Sequence, residues 1–361
     1  MRPGHREEDS ANPSPYGQGK RADEWSEPLC HRPSRFAAGR GLQAGPKESS
    51  WATHMLILSE FLTPPEGTIS PSFPWTIDEA NRLELQNKVF NKIFDNRLIF
   101  PRNCEPQRVL DCGHGAGSWA IQVAEEFPEC EVIGVDISPH MIPDGDDDDF
   151  DVAENLEFQV DDLNRPFTFP PEYFDLVNSR MMATGIDGSR WSSYIQDIKR
   201  SGCKERALGS RMLVLKPGGW VQLVEIYFNV QSDNGSLTEK HALRQWSTKL
   251  MSSVEDVKDL RVGTRLRDLL LAAGLKEVES TMIPVPLCEW SSEPRMRDIG
   301  KANRKITRHL LTAVALYPLT QRLHMSHSEF QQLIDQAQKE AENPSLKTYF
   351  PLYVAIGRKP S

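Results

Sequence analysis

VLDCGHGAGSWA, residues Val109 to Ala120, places three glycines in five positions directly behind an apolar run and an aspartate. "RVLDCG" (108–113) reads as a short β-rich strand and "SWAIQVAEEF" (118–127) as a helix. Strand, bare turn, helix is the arrangement by which an α/β sheet receives a nucleotide-like ligand at the carboxyl ends of its strands.

The spacing decides which ligand. A dinucleotide fingerprint, G-x-G-x-x-G, requires glycine at position 118, which is Ser118; the third glycine is Gly117. Asp111, two residues ahead of Gly113, would face a pyrophosphate with like charge. S-adenosylmethionine (AdoMet) carries a sulfonium and an α-ammonium group instead, and a carboxylate favours both. Ser118 and Asp111 therefore argue against an NAD-dependent oxidoreductase. Gly113, Gly115 and Gly117 let the backbone approach the methionyl and ribose parts. Asp136 closes the next strand, "CEVIGVDI" (130–137), where a carboxylate can accept from both ribose hydroxyls, and Ile137 beside it can cover the adenine face. A third strand, "NLEFQVDDL" (155–163), offers Asp161 to the exocyclic amine of adenine and the backbone of Asp162 to a ring nitrogen. Each aspartate alone could equally end a strand or cap a turn. Their succession at three strand ends points to an AdoMet site.

Strands continue to alternate with helices. "TIDEANRLELQNKVFNKIFDNRL" (76–98) has helical apolar spacing, "FDLVNSR" (174–180) and "GGWVQLVEIY" (218–227) are strands, and "VGTRLRDLLLAAG" (262–274) is a helix ending on Gly274. "KEVESTMIPV" and "YFPLYVAIGRK" supply the last strands. The pattern predicts an α/β fold, a mostly parallel sheet covered by helices on both faces. Residues 291–348 interrupt the last two strands with helical sequence, which either hangs over the cofactor as a lid or merely packs on the sheet. There, Trp290, Met296 and Tyr317 line an acceptor pocket or the core. Residues 1–70 read as a disordered or irregular tail and 71–361 as the catalytic domain. The acidic run 144–151 reads as a solvated loop.

These stretches, with "LKPGGWVQLVEI", resemble the class I AdoMet-dependent methyltransferases, and within them a fungal group similar to the velvet-associated regulator of secondary metabolism and to methyltransferases of biosynthetic pathways. The resemblance implies a Rossmann-like, seven-stranded sheet with an antiparallel last strand. It maps Gly113, Gly115, Gly117, Asp136 and Asp161 onto cofactor positions and Arg180 onto the family's strand-end "SR". The chain departs from the group at His114, where a small residue such as threonine is usual, and at Asn87, near which a histidine is common. "IKRVLKPGGW" is how the group tends to read, so Ser201–Leu213 reads as a surface insertion or an artefact of gene prediction such as a retained intron. With those residues removed, Tyr194, Ile198, Val214 and Leu215 fall on one helical face.

Methyl transfer from a sulfonium needs alignment and exclusion of water, with a base only where the acceptor must lose a proton. Arg180, Glu225 and His241 are the catalytic candidates, and a capping role competes for His241. His324 and His327 lack the further ligands of a metal set, so no metal is expected. The net charge of −9 argues against direct nucleic-acid binding, no apolar stretch is long enough for a membrane span, and six scattered cysteines read as reduced thiols of a cytoplasmic protein, or a nuclear one if regulatory. The expected function is methylation of a small-molecule natural product at oxygen, nitrogen or carbon; the alternative is a methyltransferase-like regulator acting through protein partners.

Overall fold

The computed structural model describes residues 77–102, 104–138, 153–199 and 214–361. The N-terminal tail, the acidic run and Ser201–Leu213 lie outside them. The first half interleaves strands and helices: α1 (Ile77–Ile93), β1 (Arg108–Cys112), α2 (Ser118–Glu126), β2 (Glu131–Asp136), β3 (Leu156–Val160), β4 (Phe174–Arg180), α3 (Trp191–Lys199) and β5 (Leu215–Ile226). There follow β6 (Gln231–Ser232), α4 (Ala242–Val254), α5 (Leu266–Ala272), β7 (Lys276–Pro286), α6 (Pro294–Ala313), α7 (His327–Ala341) and β8 (Thr348–Arg358).

The strands lie in the order β3-β2-β1-β4-β5-β8, with β7 on the far side of β8. Neighbours from β3 to β5 pair in parallel, and β8 runs against both β5 and β7. Two-residue β6 pairs with Thr348 and Tyr349, continuing along the edge of β8 that β5 has already used. Among the described residues seven full strands thus carry the sheet, with the last one antiparallel as expected. The chain leaves β1 toward β2 and β3, then returns to the other side of β1 for β4 and β5. That reversal opens a crevice at the carboxyl ends of β1 and β4.

Strand alternation feeds two cores. Val109, Val132 and Leu176 bury against Trp119, Ala120 and Val123 of α2, while Leu110, Val135 and Val177 face the side that holds Tyr194, Ile195 and Ile198 of α3. α1 ends at Ile93, short of the predicted 98, because Asp95 and Asn96 take positive φ values of 52° and 59°, which a right-handed helix does not admit. The predicted helix 262–274 opens as a 3-10 turn, Val262–Arg265, before α5.

With Ser201–Leu213 in the chain, Val214 and Leu215 do not extend the face of α3. Leu215 opens β5 opposite Phe174, and both Val214 and Leu215 are fully buried there. Residues 200–213 stand between α3 and this pair, so the apolar side chains meet β4 instead. Pro217-Gly218-Gly219 is an irregularity inside β5. Here the register shifts against β4, and a Cβ on Gly219 would come 3.0 Å from the Asp175 carbonyl.

Candidate active site

The glycine turn leaves β1 with Gly113, Gly115 and Gly117 at φ of 75°, 55° and 75°, left-handed values that L side chains rarely adopt. Its path is held from below, since the Gly113 and His114 N–H groups both donate to the Val135 carbonyl of β2, at 2.7 and 3.2 Å. A Cβ on Gly113 would lie 2.1 Å from the Met182 sulfur, and one on Gly117 2.6 Å from the Phe158 ring. The bare backbone therefore makes room for Met182 at the mouth of β4 and for Phe158 on β3. Gly134 serves the same ring from β2, where a Cβ would come within 2.7 Å of it.

The aspartates gather at adjoining strand ends. Asp136 accepts from Gly115 N–H through Oδ2 and from Ser138 N–H through Oδ1, each at 3.0 Å, so it fastens the turn while each oxygen retains acceptor capacity. The Asp161 N–H reaches the Asp136 carbonyl at 3.0 Å, tying the ends of β2 and β3 together. Ile137 is partly exposed beside them. The Asp162 N–H, expected to face a ring nitrogen, donates to the Asp161 carboxylate at 2.8 Å, and burial raises the pKa of that carboxyl. Asp162 accepts from Asn164 N–H and pairs with Arg165 at 3.3 Å, so its side chain holds the loop.

Asp111 is 3% exposed and accepts from Asn178 Nδ2 at 2.7 Å. Burial pushes its carboxyl up to about 6, against the pull of the Arg180 charge and the Asn178 hydrogen bond. Asn178 accepts in turn from Gln222 Nε2 at 2.9 Å, and Gln222 joins the Leu98 carbonyl and the Phe100 N–H. Asp111, Asn178 and Gln222 are register partners across β1, β4 and β5, a polar row through an apolar sheet. Sequence reasoning missed Asn178, Gln222, Met182 and Phe158. The signal available was a lone amide inside each of the apolar runs "LVNS" and "VQLV".

Arg180 donates to Asn87 Oδ1 of α1 at 3.0 Å and lies 5.0 Å from the Phe90 ring centroid. Burial lowers its pKa to about 10, with the Asp111 charge opposing. With Leu83 set 3.2 Å from where a Gly115 Cβ would stand, these contacts roof the turn with α1. His114 is buried against Phe158, ring centroids 4.5 Å apart, and burial lowers its pKa, favouring the neutral imidazole.

The other two catalytic candidates, Glu225 and His241, both hold backbone N–H groups. Glu225 accepts from Met182 N–H at 2.7 Å and Ala183 N–H at 3.0 Å, one per carboxylate oxygen, and so holds the turn after β4. Burial pushes its carboxyl up to about 8 while both donors pull it down. His241 stands at the N-cap of α4, its Nδ1 accepting the Thr238 N–H at 3.0 Å. Trp290 donates to the Thr348 carbonyl at 2.7 Å and Met296 packs against the core. Among the described residues no group of three or more His, Cys, Asp or Glu could hold a metal ion, and no helix is long and apolar enough to cross a membrane.

AdoMet fits the chemistry of these groups: left-handed glycines in the turn, carboxylates at the ends of β1, β2 and β3, and uncommitted acceptor sites on Asp136. The methyltransferase-domain family profile matches residues 109–202. The secondary metabolism regulator LAE1 of Cochliobolus heterostrophus is 27% identical over 80% of this chain and 89% of its own length. A protein of Emericella nidulans named protein-methionine methyltransferase laeA is 26% identical over 80% of this chain and 72% of its own. Among solved structures, phosphoethanolamine N-methyltransferase 2 of Haemonchus contortus, in complex with AdoMet, aligns with a TM-score of 0.46 at 20% identity, covering 82% of this chain, which spans only 62% of that one. Sheet order, glycine turn and matched residues together give this chain an AdoMet-dependent methyltransferase domain with a class I fold, and the chain is similar in sequence to fungal regulators of secondary metabolism.

Proposed function

We propose that the protein is a regulator of secondary metabolism that transfers the AdoMet methyl group to a methionine thioether of a partner protein, in the cytoplasm or nucleus. The observation that carries this reading is the burial of Glu225, 1% exposed beneath the turn whose Met182 and Ala183 N–H groups it holds, together with the engagement of His241 Nδ1 at the start of α4. A hydroxyl or ammonium acceptor has a proton to lose, whereas a thioether has none. The names of the relatives support the same reading, one as a protein-methionine methyltransferase and another as a regulator. No described residue argues for the natural-product acceptor expected from the sequence.

In this reading Asp136 holds the ribose hydroxyls, and Asp161 and the Asp162 backbone hold adenine after the Asp161 carboxylate releases that N–H. Ile137 covers the ring, and Asp111 attracts the cationic end along Gly113, Gly115 and Gly117. AdoMet, when bound, supplies an electrophilic methyl on a sulfonium whose leaving thioether needs no activation. The chain's own part is to orient and to exclude water. α1, pinned by Asn87 to Arg180, closes the crevice from above, and the helical excursion at 291–348 selects the acceptor.

The test is incubation of purified protein with labelled AdoMet and fungal nuclear or cytoplasmic protein, followed by mass spectrometry. Label on methionine sulfur of a protein is expected. Label found on oxygen or nitrogen of a small molecule instead overturns the acceptor, and failure to bind AdoMet in calorimetry overturns the site.

A further inference from the structure

α6 breaks the charge balance of the chain. The molecule carries 51 Asp and Glu against 42 Lys and Arg, yet this helix, PRMRDIGKANRKITRHLLTA, holds six Lys and Arg and a single carboxylate, Asp298. Its buried stripe, Ile299, Asn303, Ile306 and Leu310, faces the core, so all the cations but Arg295 crowd the opposite arc. Arg295 is tied to the Ile93 carbonyl and to Asp95. Arg304 and Arg308 are both engaged by Glu342, just past α7, and Arg304 also by Glu289. Arg297, Lys301 and Lys305 are exposed, and among the described residues no carboxylate pairs with them. They stand four residues apart, a row with a step of about 6 Å along the helix axis.

We propose that this row is a docking surface for an acidic helical segment of a partner protein, one carrying Asp or Glu at every fourth residue. This goes beyond the methyl-transfer reading and uses no residue of the crevice. The same helix already displays the recognition: Glu342 bridges Arg304 and Arg308, an i,i+4 pair one row over from the vacant cations. A second helix with carboxylates at i,i+4 repeats the same axial step, so successive acids meet successive cations. A nucleic acid is the poorer occupant. Three cations in a row one helix wide neutralise few phosphates, and the net charge of −9 repels a polyanion at a distance.

The experiment is fluorescence anisotropy with the full chain at low salt and three labelled probes: an alanine-based helical peptide with Glu at every fourth position, a scrambled peptide of the same composition, and a short single-stranded DNA. The periodic peptide is expected to bind about tenfold more tightly than the scrambled one, three surface ion pairs together being of that size. The triple variant R297Q/K301Q/K305Q should lose that preference, while K240Q/R267Q/K276Q, which removes as many exposed cations elsewhere, should keep it. Glutamine preserves helix propensity, and circular dichroism with AdoMet calorimetry on the same variant reads fold and crevice separately from docking. Absence of periodic-peptide binding, equal binding of the scrambled peptide, tighter binding of DNA, or an unchanged preference in the α6 variant overturns the proposal.

Discussion

Asp111 and Asp136 do different work although both lie at strand ends beside the glycine turn. Asp136 is partly exposed and fastens the turn through Gly115 and Ser138, leaving lone pairs for a ligand. Asp136→Ala should weaken AdoMet binding by about 1–3 kcal/mol, the range for lost hydrogen bonds to a charged group, as read by calorimetry. Asp111 is buried, and its carboxyl, pushed up to about 6, gains charge as pH rises through that value. A cationic donor is then held more tightly on the alkaline side. AdoMet affinity should rise from about pH 5 to about pH 7, and Asp111→Asn should flatten that profile. Gly113 is also set by conformation: at φ 75° any side chain is strained, and a Cβ would collide with the Met182 sulfur. Gly113→Ala should cost about 1–2 kcal/mol in urea unfolding and displace Met182.

At the scale of elements, the site depends on segments that carry no ligand group. Glu225, deep in β5, positions the backbone of Met182 and Ala183 after β4, while the row Asp111, Asn178 and Gln222 holds three strands in register. α7 illustrates a local device in full. Ser326 accepts from Glu329 N–H and the Glu329 side chain reaches back to Ser326 N–H, a reciprocal cap that starts the helix where Ser-x-x-Glu occurs in the sequence. Ser326→Ala should lower stability by about 1 kcal/mol in thermal or urea unfolding, without change in AdoMet affinity.

Over the unit 47–361, the excursion between β7 and β8 is packed into the body through several elements: α6 against α1 and β7, and α7 against α4. Trp246 of α4 is fully buried and its indole donates to the Leu311 carbonyl of α6 at 2.8 Å. Trp246→Ala should therefore cost about 3–5 kcal/mol of stability. A detachable lid would leave the unfolding midpoint of the sheet unmoved, so denaturation of this variant followed by far-ultraviolet circular dichroism distinguishes the two. The amino-acid sequence by itself determined the strand and helix alternation, the three glycines and the order of Asp111, Asp136 and Asp161, because hydrophobic period, turn chemistry and charge are local properties. Only the tertiary structure decided what those residues face. Neighbouring strands bring Asn178 to Asp111, Gly134 to Phe158 and α1 to Arg180 from distant parts of the chain, and no local pattern encodes such meetings. The same reason makes anchors of Glu225 and His241, which hold backbone N–H groups through partners supplied by the fold.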